Sequence, residues 1–265
     1  MIDLTDFAEA VGTHGPVSIA GTSSRGGAVP GVRTVQAPSG VDLVQPDEMI
    51  VRCGAGTPVG ELQGVLAAHG QMVALPQGGT VGGALSVGVS DVRRLGHGPV
   101  RDVLLQTRYV GADGVVVTAG GATVKNVSGF DLCRLLVGAR GTLGFLGEVL
   151  LRTRPLPMCS EWFTAPCTDP NSMLTSLYRP VSILWNGNQV WTLIEGHPDD
   201  VREQARSCGL RAADGPPPLP SGSRRSVAPS AVPFLTGEFV AEVGVGIVHH
   251  AEPWVRPARD PRVVT

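Results

Sequence analysis

The chain has 265 residues, of which 42% are hydrophobic and 17% are charged, and its formal net charge is −2. This composition predicts a substantial buried core, in one large domain or in an ordinary domain with a small partner. The near-neutral charge, with no long basic run, argues against nucleic-acid binding. No apolar stretch reaches the length of a membrane span, and the acidic N-terminal residues are untypical of a signal peptide.

The first half of the chain predicts short helices and strands separated by glycine-rich segments. We expect a helix over residues 5–11 and strands over 16–20, 49–53 and 72–75. A second helix follows Thr57, which is a candidate N-cap, and Pro58 suits its first position. Gly70 is expected to end that helix.

Further strands are predicted over residues 103–110, 115–119 and 145–154, with a short helix around 132–136. Asp113 and Gly114 lie between the first two of these strands, and an Asp-Gly pair is a strong hairpin signal. Asp131 directly precedes the short helix and is interpreted as its N-cap.

The second half predicts a smaller α+β unit. Strands are expected over residues 158–164, 181–185, 190–195 and 240–248, with helices over 170–177 and 198–208. This βαββαβ order is typical of a ferredoxin-like domain. Residues 211–236, rich in proline, serine and glycine, are predicted to form a mobile loop or linker.

The five cysteines and the single lysine limit the chemistry of the chain. The cysteines are Cys53, Cys133, Cys159, Cys167 and Cys208, and no two of them form a C-x-x-C pair. We therefore expect reduced, mostly buried thiols of a cytoplasmic protein, without zinc or an iron–sulfur cluster. Lys125 is the only lysine in an arginine-rich chain. From composition alone, a functional lysine and a chance occurrence remain equally open.

Glycine-rich segments over 21–27, 76–83 and, after Gly120-Gly121, over 124–144 each follow a predicted strand. Converging backbone N–H groups without intervening side chains are what a pyrophosphate requires. A P-loop is excluded because the only lysine lies in no such motif. A Rossmann turn at 54–56 is disfavoured, since its third glycine is misplaced and no acidic residue follows at the expected distance. Ordinary tight turns would explain any one segment, but they explain the three together less well.

A family resemblance covers residues 34–157. The residues that carry it are Cys53-Gly54-Ala55-Gly56-Thr57, Glu61-Leu62-Gln63, Gly70-Gln71, Gly79-Thr80-Val81-Gly82-Gly83, Val100-Arg101-Asp102, Val124-Lys125-Asn126-Val127-Ser128-Gly129-Phe130-Asp131, Leu135, Gly138 and Gly141-Thr142-Leu143-Gly144. This region resembles the FAD-binding domain of the p-cresol-methylhydroxylase and vanillyl-alcohol-oxidase superfamily. Within it, the chain is most similar to the flavin-binding E subunits of glycolate oxidases.

The resemblance implies an α+β fold with two domains. A p-cresol-methylhydroxylase-type FAD-binding domain, made of two α/β subdomains, would occupy residues 1–157. A small ferredoxin-like cap would occupy residues 158–265. Family members usually continue into a segment that contains F-D-P and L-N-P-G, which raises the expectation of a C-terminal truncation here.

The resemblance also implies roles for individual residues. Lys125 and Asn126 would lie near the isoalloxazine, where a cation or donor stabilises the negative charge of reduced flavin. The implied cofactor-binding residues are Gly21, Thr22, Arg25, Gly26, Gly27, Gly78, Gly79, Thr80, Gly82, Gly83, Ser86, Asp91, Arg101, Asp102, Lys125, Asn126, Gly138, Gly141, Thr142 and Leu143. For Arg101 and Asp102 a structural ion pair is an equally good interpretation.

Two departures from the family pattern shape the expected chemistry. No histidine lies near residues 25–30, where covalent family members carry the linking residue, so FAD is expected to be non-covalent. Related dehydrogenases have a metal motif, of which residues 242–249 keep only the glycines and His249. A single histidine is not a metal site, so we expect none.

The implied activity is that of an FAD-dependent oxidoreductase, which oxidises a small 2-hydroxy acid by hydride transfer to flavin N5. The cap offers few side chains for substrate, namely Arg179, His249 and His250. The alternative is a flavin-binding, non-catalytic or electron-transfer subunit of a hydroxy-acid dehydrogenase complex. Its partners would be a second flavoprotein subunit and an iron–sulfur subunit. We expect a cytoplasmic protein, with any membrane association arising through those partners.

Overall fold

The computed structural model describes residues 1–26, 29–122 and 130–253. The chain divides into two compact units, both of mixed α and β structure. Unit 1 comprises Met1–Asp91 and Gly98–Leu156, and unit 2 comprises Val92–His97 and Pro157–Thr265. The short segment Val92–His97 therefore groups with residues distant from it in sequence, which the sequence patterns did not predict.

Unit 1 contains five helical segments and nine strands among the described residues. These are α1 (Thr5–Val11), β1 (Val17–Ala20), β2 (Arg33–Gln36), β3 (Val41–Gln45), β4 (Ile50–Gly54), α2 (Val59–Ala67), β5 (Gln71–Met72), α3 (Val81–Val87), a 3-10 turn (Val100–Asp102), β6 (Leu104–Val110), β7 (Val116–Gly120), α5 (Leu132–Leu136), β8 (Phe145–Arg152) and β9 (Arg154–Pro155). An antiparallel sheet in the order β3-β4-β8-β6-β7 forms its centre. β1 and β2 form a separate parallel pair, and β5 pairs with β9.

The core of unit 1 lies where α2 and α3 pack with the central sheet. Val51 and Leu151 contribute from β4 and β8, and Leu62, Leu66 and Leu85 contribute from the helices. All five side chains are fully buried. Burial of each stabilises the fold by about 1.5–3 kcal/mol relative to exposure.

Several local predictions in unit 1 are confirmed. α1 spans the predicted residues, and β6 and β7 form the predicted antiparallel hairpin across Gly111 and Gly114. Asp131 caps α5, because its Oδ1 accepts a hydrogen bond of 3.0 Å from the N–H of Arg134.

Three details in unit 1 differ from prediction. Thr57 does not cap α2, because its buried hydroxyl instead bonds the N–H and carbonyl of Gly40, at 2.9 and 3.2 Å. The strand predicted over 72–75 is reduced to β5 at Gln71–Met72. Gly82 and Gly83, predicted in a loop, form the first turn of α3, since Thr80 accepts a hydrogen bond from Gly83 and caps it.

Unit 2 contains the remaining described elements. They are α4 (Arg94–His97), β10 (Cys159–Pro166), α6 (Asn171–Ser176), β11 (Ser182–Trp185), β12 (Gln189–Gly196), α7 (Pro198–Ser207), β13 (Arg211–Ala213), β14 (Ser223–Ser226), a 3-10 turn (Pro229–Phe234), β15 (Phe239–Glu242) and β16 (Ile247–His250). They form one sheet in the order β13-β10-β12-β11-β15-β16-β14. The elements β10-α6-β11-β12-α7-β13 supply the predicted βαββαβ order.

The last strand of that motif was predicted wrongly. The fourth strand is β13, and residues 240–248 instead divide into β15 and β16. Gly244 and Gly246 make the turn between them with φ of 78° and 77°, which glycine adopts readily. Residues 211–236, predicted as a loop or linker, contain β13, β14 and a 3-10 turn. Within the described ranges, no helix is long and apolar enough to span a membrane.

Candidate functional site

A cavity of about 590 Å³ lies within unit 1, a volume in the usual range for small-molecule sites. Its lining comes from β1 and the segment after it, from the start of α3, and from the turn before β8. Ten of the sequence-predicted cofactor residues lie together here: Gly21, Thr22, Arg25, Gly26, Thr80, Gly82, Gly83, Ser86, Gly141 and Thr142. Residues separated by up to about half the chain are therefore brought to one place.

Arg25 joins the two glycine-rich segments that border the cavity. Its Nη1 donates to the carbonyl of Gly78 at 2.7 Å. Its Nη2 donates to the carbonyls of Gln77 and Pro76, at 2.9 and 3.1 Å. Gly78 and Gly79 have φ of 73° and 71°, so this turn needs residues that tolerate the left-handed region. Both glycines thus shape the turn under Arg25.

The start of α3 is held against the neighbouring backbone. The N–H of Gly82 donates to Ala55 at 2.7 Å, and the N–H of Gly83 donates to Thr80 Oγ1 at 3.1 Å. A Cβ added at Gly82 would lie 2.9 Å from atoms of Ala55. Because both N–H groups already have acceptors, these glycines contribute close packing and open space to the cavity rather than free donors.

The turn at residues 138–142 forms another part of this region. Gly138 and Arg140 donate from their N–H groups to the carbonyls of Leu85 and Ser86, at 3.0 and 2.9 Å. These bonds attach the turn to α3. Arg140 also lines the cavity, a contribution that sequence reasoning missed. The sequence signal that could have identified Arg140 is its position directly before Gly141, which was predicted to bind the cofactor.

The charge of the lining suits an anionic ligand. Among the described lining residues, Arg25 and Arg140 are the charged side chains, and no aspartate or glutamate is present. The polar remainder consists of hydroxyl groups, on Ser18, Thr22, Ser23, Ser24, Thr80, Ser86 and Thr142. Two cations and several neutral donors fit the diphosphate of a dinucleotide, which carries negative charge at neutral pH.

Other predicted site residues lie outside the lining of this cavity. Asp102 accepts a hydrogen bond of 3.1 Å from Arg134, and its contact with Arg101 is longer, at 3.9 Å. Asp102 therefore pairs more closely with Arg134 than with Arg101, and both interpretations of Arg101 and Asp102 stay predictions. The remaining residues of this group are Gly78, Gly79, Asp91, Gly138 and Leu143. Gly27, Lys125 and Asn126 lie outside the described residues.

In unit 2, the side chains named from sequence are engaged or exposed. Nε2 of His249 lies 2.9 Å from Oε1 of Glu242. His250 contacts Arg225 from the adjacent strand, and burial, with this cation, lowers the pKa of His250. Arg179 is exposed, with a φ of 50°. Sequence reasoning missed Glu242 and Arg225 as partners, because strand register brings them to the histidines.

A second imidazole–carboxylate pair lies at β12. Nε2 of His97 lies 2.9 Å from Oε2 of Glu195, whose other oxygen accepts a hydrogen bond of 3.1 Å from Ser160. Over the described ranges, no group of three or more His, Cys, Asp or Glu side chains could hold a metal ion. The expectation of a metal-free protein remains a prediction.

Two cysteines whose thiols have raised pKa values, Cys53 and Cys133, are buried and have the properties of unreactive thiols. Burial raises the pKa of Cys53 to about 12 and that of Cys133 to about 11. Cys167 is also buried, whereas Cys159 and Cys208 are partly exposed. A buried thiol with a raised pKa is a structural residue, since the thiolate is the reactive form.

Comparisons with known proteins show which proteins this part of the chain resembles. Residues 17–120 match the family model described as FAD binding domain. The chain is 34% identical over 161 residues to the glycolate oxidase subunit GlcE of Escherichia coli strain K12, covering 57% of this chain and 46% of that protein. It is also 34% identical over 142 residues to a D-lactate dehydrogenase of Archaeoglobus fulgidus, covering 51% of this chain and 32% of that protein. The chain thus spans less than half the length of these curated relatives.

Among solved structures, alkyldihydroxyacetonephosphate synthase matches with a TM-score of 0.59 and 18% identity, covering 76% of this chain and 51% of that one. At this identity the likeness concerns the fold alone. The family match spans β1 and the first part of α3, which line the cavity. The matched region, residues 17–120, is therefore similar to FAD-binding domains, in agreement with the resemblance that the sequence motifs carry.

Proposed function

We propose that this protein is an FAD-dependent oxidoreductase that oxidises a small 2-hydroxy acid. The observation that carries the proposal is the 34% identity to a glycolate oxidase subunit over 161 residues. The second relative, named a D-lactate dehydrogenase, adds a 2-hydroxy acid of similar size. The cationic cavity of unit 1 supplies a place for the cofactor that such chemistry needs.

FAD would be held without a covalent bond. The described lining of the cavity contains no histidine, cysteine or tyrosine, which are the side chains that could form a link to a flavin. Hydroxyl groups of the segment after β1 would donate to phosphate oxygens, and Arg25 would keep that segment beside Gly78. The absence of a side chain at Gly82 lets the start of α3 pack closely against Ala55 at the edge of the cavity.

Bound FAD would accept hydride from the substrate carbon at its N5 atom. Lys125 and Asn126 are proposed to act beside the flavin, where a positive charge and a donor favour the reduced form. Arginine is larger and planar, so it does not replace a compact ammonium group at a tight site. Lys125→Met should therefore retain FAD but disfavour its reduction by about 1–3 kcal/mol, measured as a lower reduction potential.

The direct test is anaerobic mixing of the purified, flavin-loaded chain with glycolate or D-lactate. The proposal predicts bleaching of the flavin absorbance by at least one of these acids. Dithionite serves as the control, because it shows that the bound flavin can be reduced at all. A flavin that dithionite bleaches and that no 2-hydroxy acid bleaches would contradict the proposed activity.

A second candidate is a flavin-binding subunit that transfers electrons or stabilises a complex without oxidising the acid itself. The specific observation in its favour is that one relative is named as a subunit, of which this chain spans 46%. Its partners would be a second flavoprotein subunit and an iron–sulfur subunit. Flavin that bleaches with glycolate or D-lactate only after these subunits are added would support this candidate. We place the protein in the cytoplasm, where such partners would determine any membrane association.

A further inference from the structure

The two arginines of the cavity lining use their side chains differently. The guanidinium of Arg25 donates to three successive carbonyl oxygens, those of Pro76, Gln77 and Gly78. Most of its N–H donors are thus committed to the turn beside it. Among the residues that the structure describes, the guanidinium of Arg140 has no hydrogen-bond or ion-pair partner. Arg140 is therefore the lining cation with its donors available.

The backbone of Arg140 adopts a conformation that its side chain does not favour. Its φ is 52°, in the left-handed region, between Gly138 at 88° and Gly141 at 80°. The hydrogen bond from its N–H to Ser86 holds it there. A glycine would fit this position without strain, and strained residues of this kind concentrate at ligand sites. The presence of an arginine points to a use for its side chain.

The charges around Arg140 in the cavity lining favour an anionic ligand. No acidic side chain lies in the described lining, so an anion in the cavity would not be repelled there. The ligand that the domain family binds carries a diphosphate. A guanidinium presents a planar fork of donors that matches phosphate oxygens. Arg140 thus has the chemistry, the free donors and the location for a phosphate contact.

We propose that Arg140 binds the diphosphate of FAD, whereas Arg25 acts as a positioning residue that holds the glycine-rich turn. The inference rests on the proposed function only for the identity of the cofactor. It predicts that charge matters at residue 140, and that the geometry of the hydrogen bonds matters at residue 25.

The test is titration of the apoprotein with FAD at low and at high ionic strength, followed by flavin fluorescence. Arg140→Met should weaken FAD binding by about 10-fold at low salt, the size expected for one charged hydrogen bond. The difference from wild type should shrink at high salt, because this guanidinium is exposed and salt screens it. Arg140→Lys keeps the charge and should retain most of the affinity.

Arg140→Gly separates binding from folding. Glycine relieves the positive φ at this position, so the thermal midpoint of the apoprotein should stay equal or rise. FAD affinity should nevertheless fall as in Arg140→Met. This variant keeps the test valid if the methionine variant proves unstable.

Arg25 provides the matched comparison. Lysine cannot reproduce the donors that Arg25 directs at three carbonyls, so Arg25→Lys should lose nearly as much FAD affinity as Arg25→Met. The salt dependence of binding should stay that of the wild type in Arg25→Lys, which keeps the charge, whereas Arg140→Met should reduce it. Arg202→Met, which removes an exposed charge on α7, controls for net charge and should bind FAD as the wild type does.

The outcomes are separable. Wild-type affinity in Arg140→Met and Arg140→Gly would overturn this inference, as would equal losses in Arg140→Lys and Arg140→Met. Those results would leave the oxidation of 2-hydroxy acids standing. The expected affinities together with a flavin that no 2-hydroxy acid reduces would overturn the proposed oxidation alone. A wild-type chain that binds no FAD would overturn both.

Discussion

The polar groups around the cavity of unit 1 and those in the sheet of unit 2 have different surroundings. In unit 1, glycines, hydroxyl groups and Arg140 leave space and donors around an open cavity. In unit 2, histidines and carboxylates meet one another, as Glu242 meets His249 at 2.9 Å. Oε2 of Glu242 is buried and has no partner among the described residues. The hydroxyl oxygens of Ser182 and Thr192, also in unit 2, are likewise buried without a partner among the described residues. The first region thus leaves open space and donors for a ligand, whereas the second places its polar groups inside a closely packed sheet.

This comparison explains which parts of a sequence reveal function. A cavity made from backbone needs glycines at particular positions, and here these glycines occur in a few short glycine-rich segments that can be recognised in the sequence. A pair such as Glu242 and His249 needs only that strand register place the two side chains together. The first kind of site is visible as a motif, and the second becomes visible only in the fold.

The largest effect should follow from filling the space beside α3. Gly82→Val would place side-chain atoms against Ala55, where even a Cβ lies 2.9 Å away. We expect loss of about 3 kcal/mol of stability and loss of bound FAD. Gly60→Val is the control, because a Cβ at Gly60 meets no atom within 4 Å. Flavin content equal to wild type in Gly82→Val would show that the cavity does not depend on this glycine.

Gly83→Val should have an intermediate effect in the same assays. A Cβ at Gly83 would lie 3.0 Å from Thr80 Oγ1, and Gly83 lines the cavity. Because the contact is with a side chain rather than backbone, the fold should be less affected than FAD binding. Circular dichroism and flavin content of the purified variant separate the two.

In unit 2, the contact between Glu242 and His249 can be tested by replacing one of the two residues. Glu242→Leu leaves Nε2 of His249 without an acceptor and should cost about 2 kcal/mol of unfolding free energy. The double variant Glu242→Leu with His249→Leu removes both polar groups and should recover part of that loss. Urea unfolding can be followed by tryptophan fluorescence, since all four tryptophans lie at residues 162–254. Strict additivity of the two substitutions would contradict the pairing.

The smallest effect concerns the buried thiols. Burial raises the pKa of Cys53 from 9.0 to about 12, so the folded chain keeps this proton at a pH where the unfolded chain releases it. The contribution of Cys53 to the free energy of unfolding is fully present below pH 9 and declines as the pH rises toward 12.

At neutral pH, a thiol reagent should modify Cys208 before Cys53, as mass spectrometry of peptides can show. Rapid labelling of Cys53 in the native protein would contradict its burial.

Local signals in this sequence predicted local structure well. The hairpin at Gly114 and the cap at Asp131 depend on neighbouring residues alone, and both are present. Thr57 was misassigned because its hydroxyl finds Gly40, seventeen positions earlier in the chain. Residues 240–248 were misassigned because Gly244 and Gly246 were interpreted as strand residues rather than as a turn.

The candidate site shows the same division. The glycine-rich segments predicted a cofactor site, and ten of the named residues do line a cavity, whereas their contact with a cofactor stays a prediction. The position of Arg140 in the cavity lining was not predicted, because it depends on the backbone hydrogen bonds that attach its turn to Leu85 and Ser86. The sequence does not reveal these bonds. Conversely, Gly82 was expected to line the pyrophosphate site, and it does line the cavity, but its N–H is bonded to Ala55 and is not free for a ligand. Which donors remain free is a property of the folded chain.

The most direct measurement of the central claim is the flavin content of the purified chain after heat denaturation. If the cavity of unit 1 holds FAD without a covalent bond, the supernatant should contain FAD equimolar with the chain, and the pellet should be colourless. Gly82→Val should release none. Flavin that stays with the pellet would contradict the non-covalent claim, and a chain that purifies without flavin and takes up none on incubation would contradict the assignment of the cavity.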